Sequence, residues 1–222
     1  MNSSQIRVSA GGVVLDGDLT IPPDARGIIV FAHGSGSSRH SPRNRKVAEA
    51  LHAEGLGTLL FDLLTASEER TDAQNAALRF DIELLTGRLT AAVDEIAARP
   101  ETGNRPIGLF GASTGAAAAL RAAANRPGIV RSVVSRGGRP DLAGQYLDTV
   151  QAPVLLLVGE RDHEVIELNR QAAALLTAEH EISIVPGATH LFEEPGTLEV
   201  VARRAAAWFT RTMAPWTAGG PV

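Results

Sequence analysis

The 222-residue chain contains no cysteine. Disulfide bonds, thiolate metal ligands and a cysteine nucleophile are therefore excluded, and the absence is compatible with a reducing compartment. Hydrophobic residues make up 44% of the chain and charged residues 21%, which is an ordinary balance for a globular protein. The length suits one α/β domain better than two.

The chain also lacks a strong net charge and a long apolar run. Its formal net charge is −4, so no general affinity for nucleic acid is expected. No run approaches the roughly 18–20 apolar residues that span a bilayer, and the first residues, MNSSQIRVSAGGVV, do not form an export signal. HExxH and P-loop patterns are missing as well, so no metal or cofactor is expected. We expect a cytoplasmic protein, monomeric or homodimeric, that binds neither nucleic acid nor membranes.

Segments typical of strands alternate with segments typical of helices along the whole chain. Continuous apolar runs such as GIIVFAHG, PIGLFG and APVLLLVGE indicate parallel strands buried on both faces. Helical patterns occupy residues 41–54, 79–99, 114–125, 165–177 and 197–212. The alternation predicts a mostly parallel, doubly wound sheet with helices on both faces.

The remaining segments predict smaller features. Residues 6–21 are broken by glycines and indicate one or two edge strands joined by a turn. TASEER, at residues 65–70, is interpreted as a polar loop. The interval 139–151 leaves room for a small helix but not for a cap domain. We expect a single domain over residues 1–213 and a loosely held tail, rich in Pro and Gly, over residues 214–222.

The sequence GASTG, residues 111–115, matches the G-x-S-x-G pattern of a nucleophile on a sharp strand-to-helix turn. An apolar strand precedes it and an alanine-rich helix follows, as that geometry requires. Only small neighbours fit beside the strained central residue, and the turn exposes the hydroxyl of Ser113 at a helix N-terminus. The alternative is an ordinary helix start whose small residues serve packing.

A serine nucleophile needs a base, and the base needs an acid that orients it. Asp162 follows the apolar run LLLVG, and His190 lies in the loop after EISIVPG. The order serine, acid, histidine and their positions after strands predict a catalytic triad at the carboxyl edge of the sheet. Taken singly, Asp162 could be a helix cap and His190 a solvated loop residue.

The loop FAHGSGSS predicts the donors that hold a developing oxyanion. One donor is expected to be the backbone N–H of Thr114, and the second that of Ser35. His33 is expected to shape this loop through a hydrogen bond of its ring. GSGSSR also resembles a dinucleotide-binding loop, but Arg39 occupies the third glycine position, and Asp62 is only the nearest candidate for the acidic partner, so nucleotide binding is disfavoured.

Two arginines follow strands at the same predicted edge. Arg39 comes after the oxyanion loop, and Arg136 stands in SRGGRPD after a central strand. Either guanidinium could bind a carboxylate or phosphate of the substrate, because its fork matches such groups. The alternative is that both arginines lie at the surface, either solvated or paired with other residues of the chain.

These features together resemble the α/β-hydrolase superfamily over nearly the whole chain. Within it, the compact size, HGSGSSRHSPRN, FDLLT and SRGGRPDLA resemble dienelactone hydrolase-like small serine hydrolases, some of which are joined to phosphoribosyltransferase-like domains. Dienelactone hydrolase uses a cysteine nucleophile, whereas this chain has Ser113. The resemblance implies hydrolysis of small or short-chain carboxylic esters through an acyl-enzyme. The alternatives are a thioesterase, amidase or acyltransferase with the same triad, or a binding protein without catalysis.

Overall fold

The computed structural model describes residues 2–103 and 105–213. They include one eight-stranded sheet in the order β1-β2-β4-β3-β5-β6-β7-β8. Strands β1 and β2 are antiparallel, as are β2 and β4, and all other neighbours are parallel. The strands are β1 Asn2–Ala10, β2 Val13–Ile21, β3 Ile28–Ala32, β4 Gly57–Phe61, β5 Ile107–Ala112, β6 Val130–Arg136, β7 Val154–Gly159 and β8 His180–Val185.

Helices cover both faces of this sheet, which confirms the predicted fold class. They are α1 Pro42–Ala53, α2 Ala66–Asn75, α3 Ile82–Ala98, α4 Thr114–Asn125, α5 His163–Ala173 and α6 Thr197–Thr212. Shorter 3₁₀ segments lie at Leu78–Phe80, Pro100–Thr102 and Pro140–Thr149. The last of these is the small helix expected in the interval 139–151. No cap domain is inserted over the sheet within the described ranges, and the predicted tail at 214–222 lies outside them.

Successive side chains of a strand point to opposite faces of the sheet, so each parallel strand contributes to two cores. In β3, Ile28 and Val30 pack into the core formed with α3, α4 and α5. Ile29 and Phe31 point the other way, into the core formed with α1 and α6. Burial on both faces explains why these strands are continuous apolar runs rather than alternating ones.

The prediction of a polar loop at residues 65–70 was wrong, because these residues begin helix α2. Thr65 is its N-cap and accepts a hydrogen bond from the backbone N–H of Glu68, at 3.3 Å. The Glu68 carboxylate in turn accepts from the backbone N–H of Thr65, at 2.8 Å. This capping box satisfies the free amides of a helix that has little apolar surface. Helix α3 likewise begins at Ile82 rather than at residue 79, since Asp81 caps it.

We expect Thr65→Ala to destabilise α2 by about 1 kcal/mol, because the amide of Glu68 loses its acceptor. Hydrogen exchange of the α2 amides and urea denaturation both measure this. Thr71→Ala is the matched control, since Thr71 lies on the exposed face of the same helix and donates only to the carbonyl of Ser67. The control should change stability by less than about 0.5 kcal/mol. Equal losses in the two variants would contradict the role of the cap.

Candidate active site

Ser113 lies on a strained turn between β5 and α4. Its backbone has φ 51° and ψ −122°, a conformation that residues with a side chain rarely adopt. The flanking glycines are required by close packing: a Cβ on Gly111 would lie 2.5 Å from the Cα of Ala116, and one on Gly115 would lie 2.6 Å from the carbonyl oxygen of His33. The G-x-S-x-G pattern is therefore dictated by sterics at this turn.

Asp162 and His190 meet after strands β7 and β8. The Nδ1 atom of His190 lies 2.6 Å from Oδ2 of Asp162. Because a carboxylate can only accept, Nδ1 carries the hydrogen and Nε2 is left as the acceptor. Asp162 stands at the N-cap position of α5 but makes no capping bond with its side chain, so the interpretation as a helix cap does not hold.

Gly159 allows the histidine loop to reach the aspartate, and the sequence reasoning did not single it out. A Cβ at Gly159 would lie 2.5 Å from the carbonyl oxygen of Ala188 and 2.6 Å from that of Thr189. The loop before His190 thus crosses directly over the end of β7. A glycine that closes an apolar strand three residues before a candidate acid is the signal that could have indicated this crossing.

Ser113 and His190 pack against the same short segment at the end of β6, residues 136–137. The backbone N–H of Ser113 donates to the carbonyl of Arg136 at 3.3 Å. A Cβ at Gly137 would lie 3.0 Å from the carbonyl oxygen of His190 and 3.6 Å from its Nδ1. Among the described residues, no hydrogen bond joins the Ser113 hydroxyl to the imidazole. Such catalytic contacts are often long without substrate, and the complete triad remains a prediction.

The two residues predicted as oxyanion donors lie side by side. The hydroxyl oxygens of Ser35 and Thr114 are 3.1 Å apart. Their backbone N–H groups donate no hydrogen bond to any residue that the structure describes, so both are free for a ligand. Gly34 brings this loop to Ser113, since a Cβ there would lie 3.1 Å from the Cβ of Ser113.

His33 fixes the oxyanion loop, as the sequence predicts. Its Nε2 accepts from the backbone N–H of Leu63 at 3.0 Å, which leaves the ring hydrogen on Nδ1. Nδ1 then donates to the carbonyl of Gly34, also at 3.0 Å. Burial lowers the pKa of His33 from its ordinary value of 6.5. The ring is therefore neutral, and it ties the loop after β3 to the end of β4.

The two arginines singled out in the sequence have different environments. Arg39 forms an ion pair with Asp62, and its backbone N–H donates to the same carboxylate at 2.8 Å. Asp62 is the residue considered above as the acidic partner in a nucleotide-binding site, and its carboxylate is already bound by Arg39. Arg136 is 9% exposed, and its side chain forms no hydrogen bond or ion pair with the described residues. Burial, together with the nearby charge of Arg43, lowers the pKa of Arg136 to about 10.

Within residues 2–103 and 105–213, no three His, Cys, Asp or Glu side chains group in a way that would hold a metal ion. None of the helices in these ranges is long and apolar enough to cross a bilayer. The carboxyl edge of the sheet presents a strained serine, a histidine paired with an aspartate, and backbone amides without a partner among the described residues.

The family profile of dienelactone hydrolases matches residues 15–216. The chain belongs to the dienelactone hydrolase family. A dienelactone hydrolase from Anabaena variabilis, known from a crystal structure, shares 53% sequence identity with this chain. The two structures superpose with a TM-score of 0.93 over 96% of this chain and 98% of the Anabaena chain. Est1E from Butyrivibrio proteoclasticus is 17% identical, with a TM-score of 0.79 over 95% of this chain and 99% of its own, and shows the same fold. The predicted α/β-hydrolase fold is confirmed.

A longer relative occurs in Mycobacterium tuberculosis (strain H37Rv) under the name "Putative phosphoribosyl transferase". It is 57% identical over 209 residues, which are 94% of this chain and 46% of that protein. The chain thus spans about half the length of this relative.

We expect the neutral state of His33 to make stability depend on pH. The unfolded chain takes up a proton near the ordinary pKa of 6.5. The folded chain does so only at lower pH, so the free energy of unfolding falls as pH drops from about 7.5 to about 5. Urea denaturation should show a smaller fall for His33→Asn than for the wild type. His163→Asn, at an exposed position, should retain the wild-type dependence, and identical slopes in all three proteins would contradict the assignment.

Proposed function

We propose that the protein is a serine hydrolase that cleaves small or short-chain carboxylic esters through an acyl-enzyme on Ser113. The observation that carries the proposal is the strained turn, which presents the Ser113 hydroxyl beside two unoccupied backbone donors. The bond between His190 and Asp162 supplies the base and its orienting acid. Strain at a non-glycine residue is retained where the surrounding structure enforces it, commonly at sites of chemistry.

In the proposed mechanism, Nε2 of His190 removes the proton of Ser113 as the hydroxyl oxygen attacks the ester carbonyl. Asp162 stabilises the imidazolium that forms. The amides of Ser35 and Thr114 hold the oxyanion of the tetrahedral intermediate, and the N-terminus of α4 favours the same negative charge. The intermediate collapses as His190 gives its proton to the departing alcohol. Water, activated by the same histidine, then hydrolyses the acyl-enzyme and restores Ser113.

Family membership supports ester chemistry in particular. The Anabaena protein, 53% identical over nearly its full length, is named a dienelactone hydrolase, and a dienelactone is a cyclic ester. The nucleophile here is a serine, so the substrate of this chain is proposed only as a small ester. Transferase activity is not carried over from the longer relative, because this chain spans only 46% of it.

Other acyl-transfer reactions would use the same groups. A thioesterase, an amidase or an acyltransferase differs in the leaving group or acceptor, so a panel of acyl donors with and without competing alcohols distinguishes them. A binding protein without catalysis would leave Ser113 unreactive. We propose the esterase because the free oxyanion donors serve a tetrahedral intermediate and have no evident use in plain binding.

We expect Ser113→Ala to abolish both ester hydrolysis and labelling by a fluorophosphonate probe, because the hydroxyl that takes the acyl or phosphonyl unit in the proposed mechanism is removed. Loss of kcat should be on the order of 10³-fold or more. Intact-mass spectrometry measures labelling, and release of 4-nitrophenol measures hydrolysis. Ser9→Ala, on the exposed face of β1, should behave as the wild type. Labelling of the Ser113→Ala variant at an equal rate would refute the proposed nucleophile.

We also propose that Arg136 binds a carboxylate or phosphate group of the substrate. A buried charge without a partner is costly, and an anion held by its fork would compensate it. The position supports this role, because the carbonyl of Arg136 accepts from the backbone of Ser113 itself. Arg39 could contribute only by giving up its ion pair with Asp62, so we give it the lesser part.

For Arg136→Met we expect kcat/KM to fall at least about tenfold for 4-nitrophenyl hemisuccinate, since a hydrogen bond to a charged group is lost. The neutral butanoate ester should be hydrolysed as by the wild type. The variant should be at least as stable as the wild type, because an unpaired buried charge is removed. Arg131→Met, an exposed arginine on the same strand, is the matched control. Equal effects on both esters would refute anion binding by Arg136.

A further inference from the structure

A turn with two glycines at the end of β6 contacts both the candidate nucleophile and the candidate base. We call residues 136–139 the glycine turn. The backbone N–H of Ser113 donates to the carbonyl of the first residue of this turn at 3.3 Å, and the carbonyl of Ser113 accepts from the N–H of the last at 3.1 Å. A Cβ on Gly137 would lie 3.0 Å from the carbonyl oxygen of His190. A shift of the glycine turn would therefore displace the backbone of Ser113 relative to that of His190.

The glycine turn lies in a space that is too narrow for side chains. A Cβ on Gly138 would collide with Oγ of Ser135 and would lie 2.5 Å from the Cβ of Ala116, at the start of α4. The backbone N–H of Gly137 donates to the carbonyl of Leu157 in β7 at 2.8 Å. Strand β7 and helix α4 thus hold the turn by a hydrogen bond and by close packing. The carbonyl of Gly138 is left for a donor from another element.

The donor to this carbonyl is the side chain of Asn169, on helix α5. Asn169 has 0% exposure, and its Nδ2 donates to the carbonyl of Gly138 at 3.0 Å and to that of Val165 at 2.7 Å. Because both partners are carbonyls, the nitrogen of the amide must face them, and its orientation is fixed. Within the described residues, no other donor reaches the carbonyl of Gly138, and no other side chain bonds to the backbone of the glycine turn.

We propose that Asn169 is a positioning residue, whose amide holds the glycine turn and thereby sets the spacing between the hydroxyl of Ser113 and the imidazole of His190. The inference rests on the proposed function. Proton transfer between these two groups requires them to come within hydrogen-bond reach, about 2.6–3.2 Å. Asn169 forms no hydrogen bond with either group and acts through the backbone of the turn.

Helix α5 gives the arrangement a common support. Asp162, whose carboxylate lies 2.6 Å from Nδ1 of His190, is the N-cap of α5. Asn169 lies about two turns further along the same helix. The carboxylate therefore ties the histidine to one end of α5, and the amide ties the turn beside Ser113 to its middle.

Packing alone does not explain an amide at this position. The other buried residues of α5 are Val165, Ala172 and Ala173, and Oδ1 of Asn169 has no partner among the described residues. A buried oxygen without a hydrogen bond lowers stability. An apolar side chain would avoid that loss but would leave the carbonyl of Gly138 without a donor. The asparagine thus serves this carbonyl rather than the packing of the helix.

Two substitutions test the role of the amide. Asn169→Leu removes both hydrogen bonds at similar volume. Asn169→Thr retains a bond within α5, because a threonine hydroxyl donates to the carbonyl four residues earlier, but its side chain is too short to reach Gly138. Both variants should lower kcat for 4-nitrophenyl butanoate about a hundredfold, since a misplacement of about 1 Å between reacting groups has this effect. KM should change less than about threefold, because the lost interaction affects the transition state and not the binding of the ester.

Ala172→Gly is the matched control for a loss of stability. Ala172 lies on the same helix, three residues beyond Asn169, and is 1% exposed. A glycine there destabilises the helix but leaves the bond to Gly138 in place, so kcat and KM should remain those of the wild type. Each variant is assayed at a temperature at which urea denaturation shows it to be folded. Wild-type kcat in both Asn169 variants, an equal loss of kcat in Ala172→Gly, or a loss confined to KM would overturn the proposal.

Crystal structures of the wild type, Asn169→Thr and Ala172→Gly test the positioning without hydrolysis. The distance from Oγ of Ser113 to Nε2 of His190 should increase by at least about 0.5 Å in Asn169→Thr only, which exceeds the tolerance of a catalytic arrangement. The bond between His190 and Asp162 should be retained in all three. An unchanged distance would overturn the inference even if esters are hydrolysed. If the wild type hydrolyses no ester but the distance responds, the proposed reaction fails and the positioning role of Asn169 stands.

Discussion

The contact on which the site depends is the approach of backbone to backbone at the carboxyl edge of the sheet. Gly111 and Gly115 allow helix α4 to begin against strands β3 and β5, where any side chain would collide with main-chain atoms. Gly159 does the same for the loop that brings His190 over β7. Each glycine removes a Cβ from a position where two segments cross. The strained conformation of Ser113 persists because these crossings leave the chain no relaxed alternative.

The same close packing governs helix α4, which begins directly after Ser113. Residues 116–119 of α4 are four consecutive alanines with 0% exposure, so the helix lies as near to the sheet as side chains permit. A helix held in this way directs its N-terminus, with its free amides and partial positive charge, at the position of the Ser113 oxygen. In the proposed mechanism, these dipoles would meet the charge of an oxyanion without reorganising, which is the main physical requirement of acyl transfer. The close packing of α4 thus accounts for both the rigidity and the electrostatics of the carboxyl edge of the sheet.

The parts of the structure that local sequence determines could be predicted. Apolar runs identified the parallel strands, and the predicted bounds of α6, residues 197–212, agree with the structure. The order of Ser113, Asp162 and His190 along the chain correctly anticipated the bond between the last two. Helix α2 was missed, because it is held by a capping box rather than by an apolar face, and hydrophobic periodicity does not detect such a helix. Its signature, threonine followed three residues later by glutamate, is present in TASEER.

Burial of charge could not be predicted, because it depends on which distant segments pack together. Arg39 and Arg136 follow strand ends in similar polar contexts, yet Arg39 meets Asp62 and Arg136 meets no acid among the described residues. Arg43, the nearby cation, repels the charge of Arg136, and the carboxylate of Glu193 is paired with Arg43. An arginine whose charge is left uncompensated in the interior lowers stability, and an apolar residue of similar size would relieve the cost. Because Arg136 lies next to the backbone of Ser113, the proposed anionic substrate group would compensate this charge when it binds.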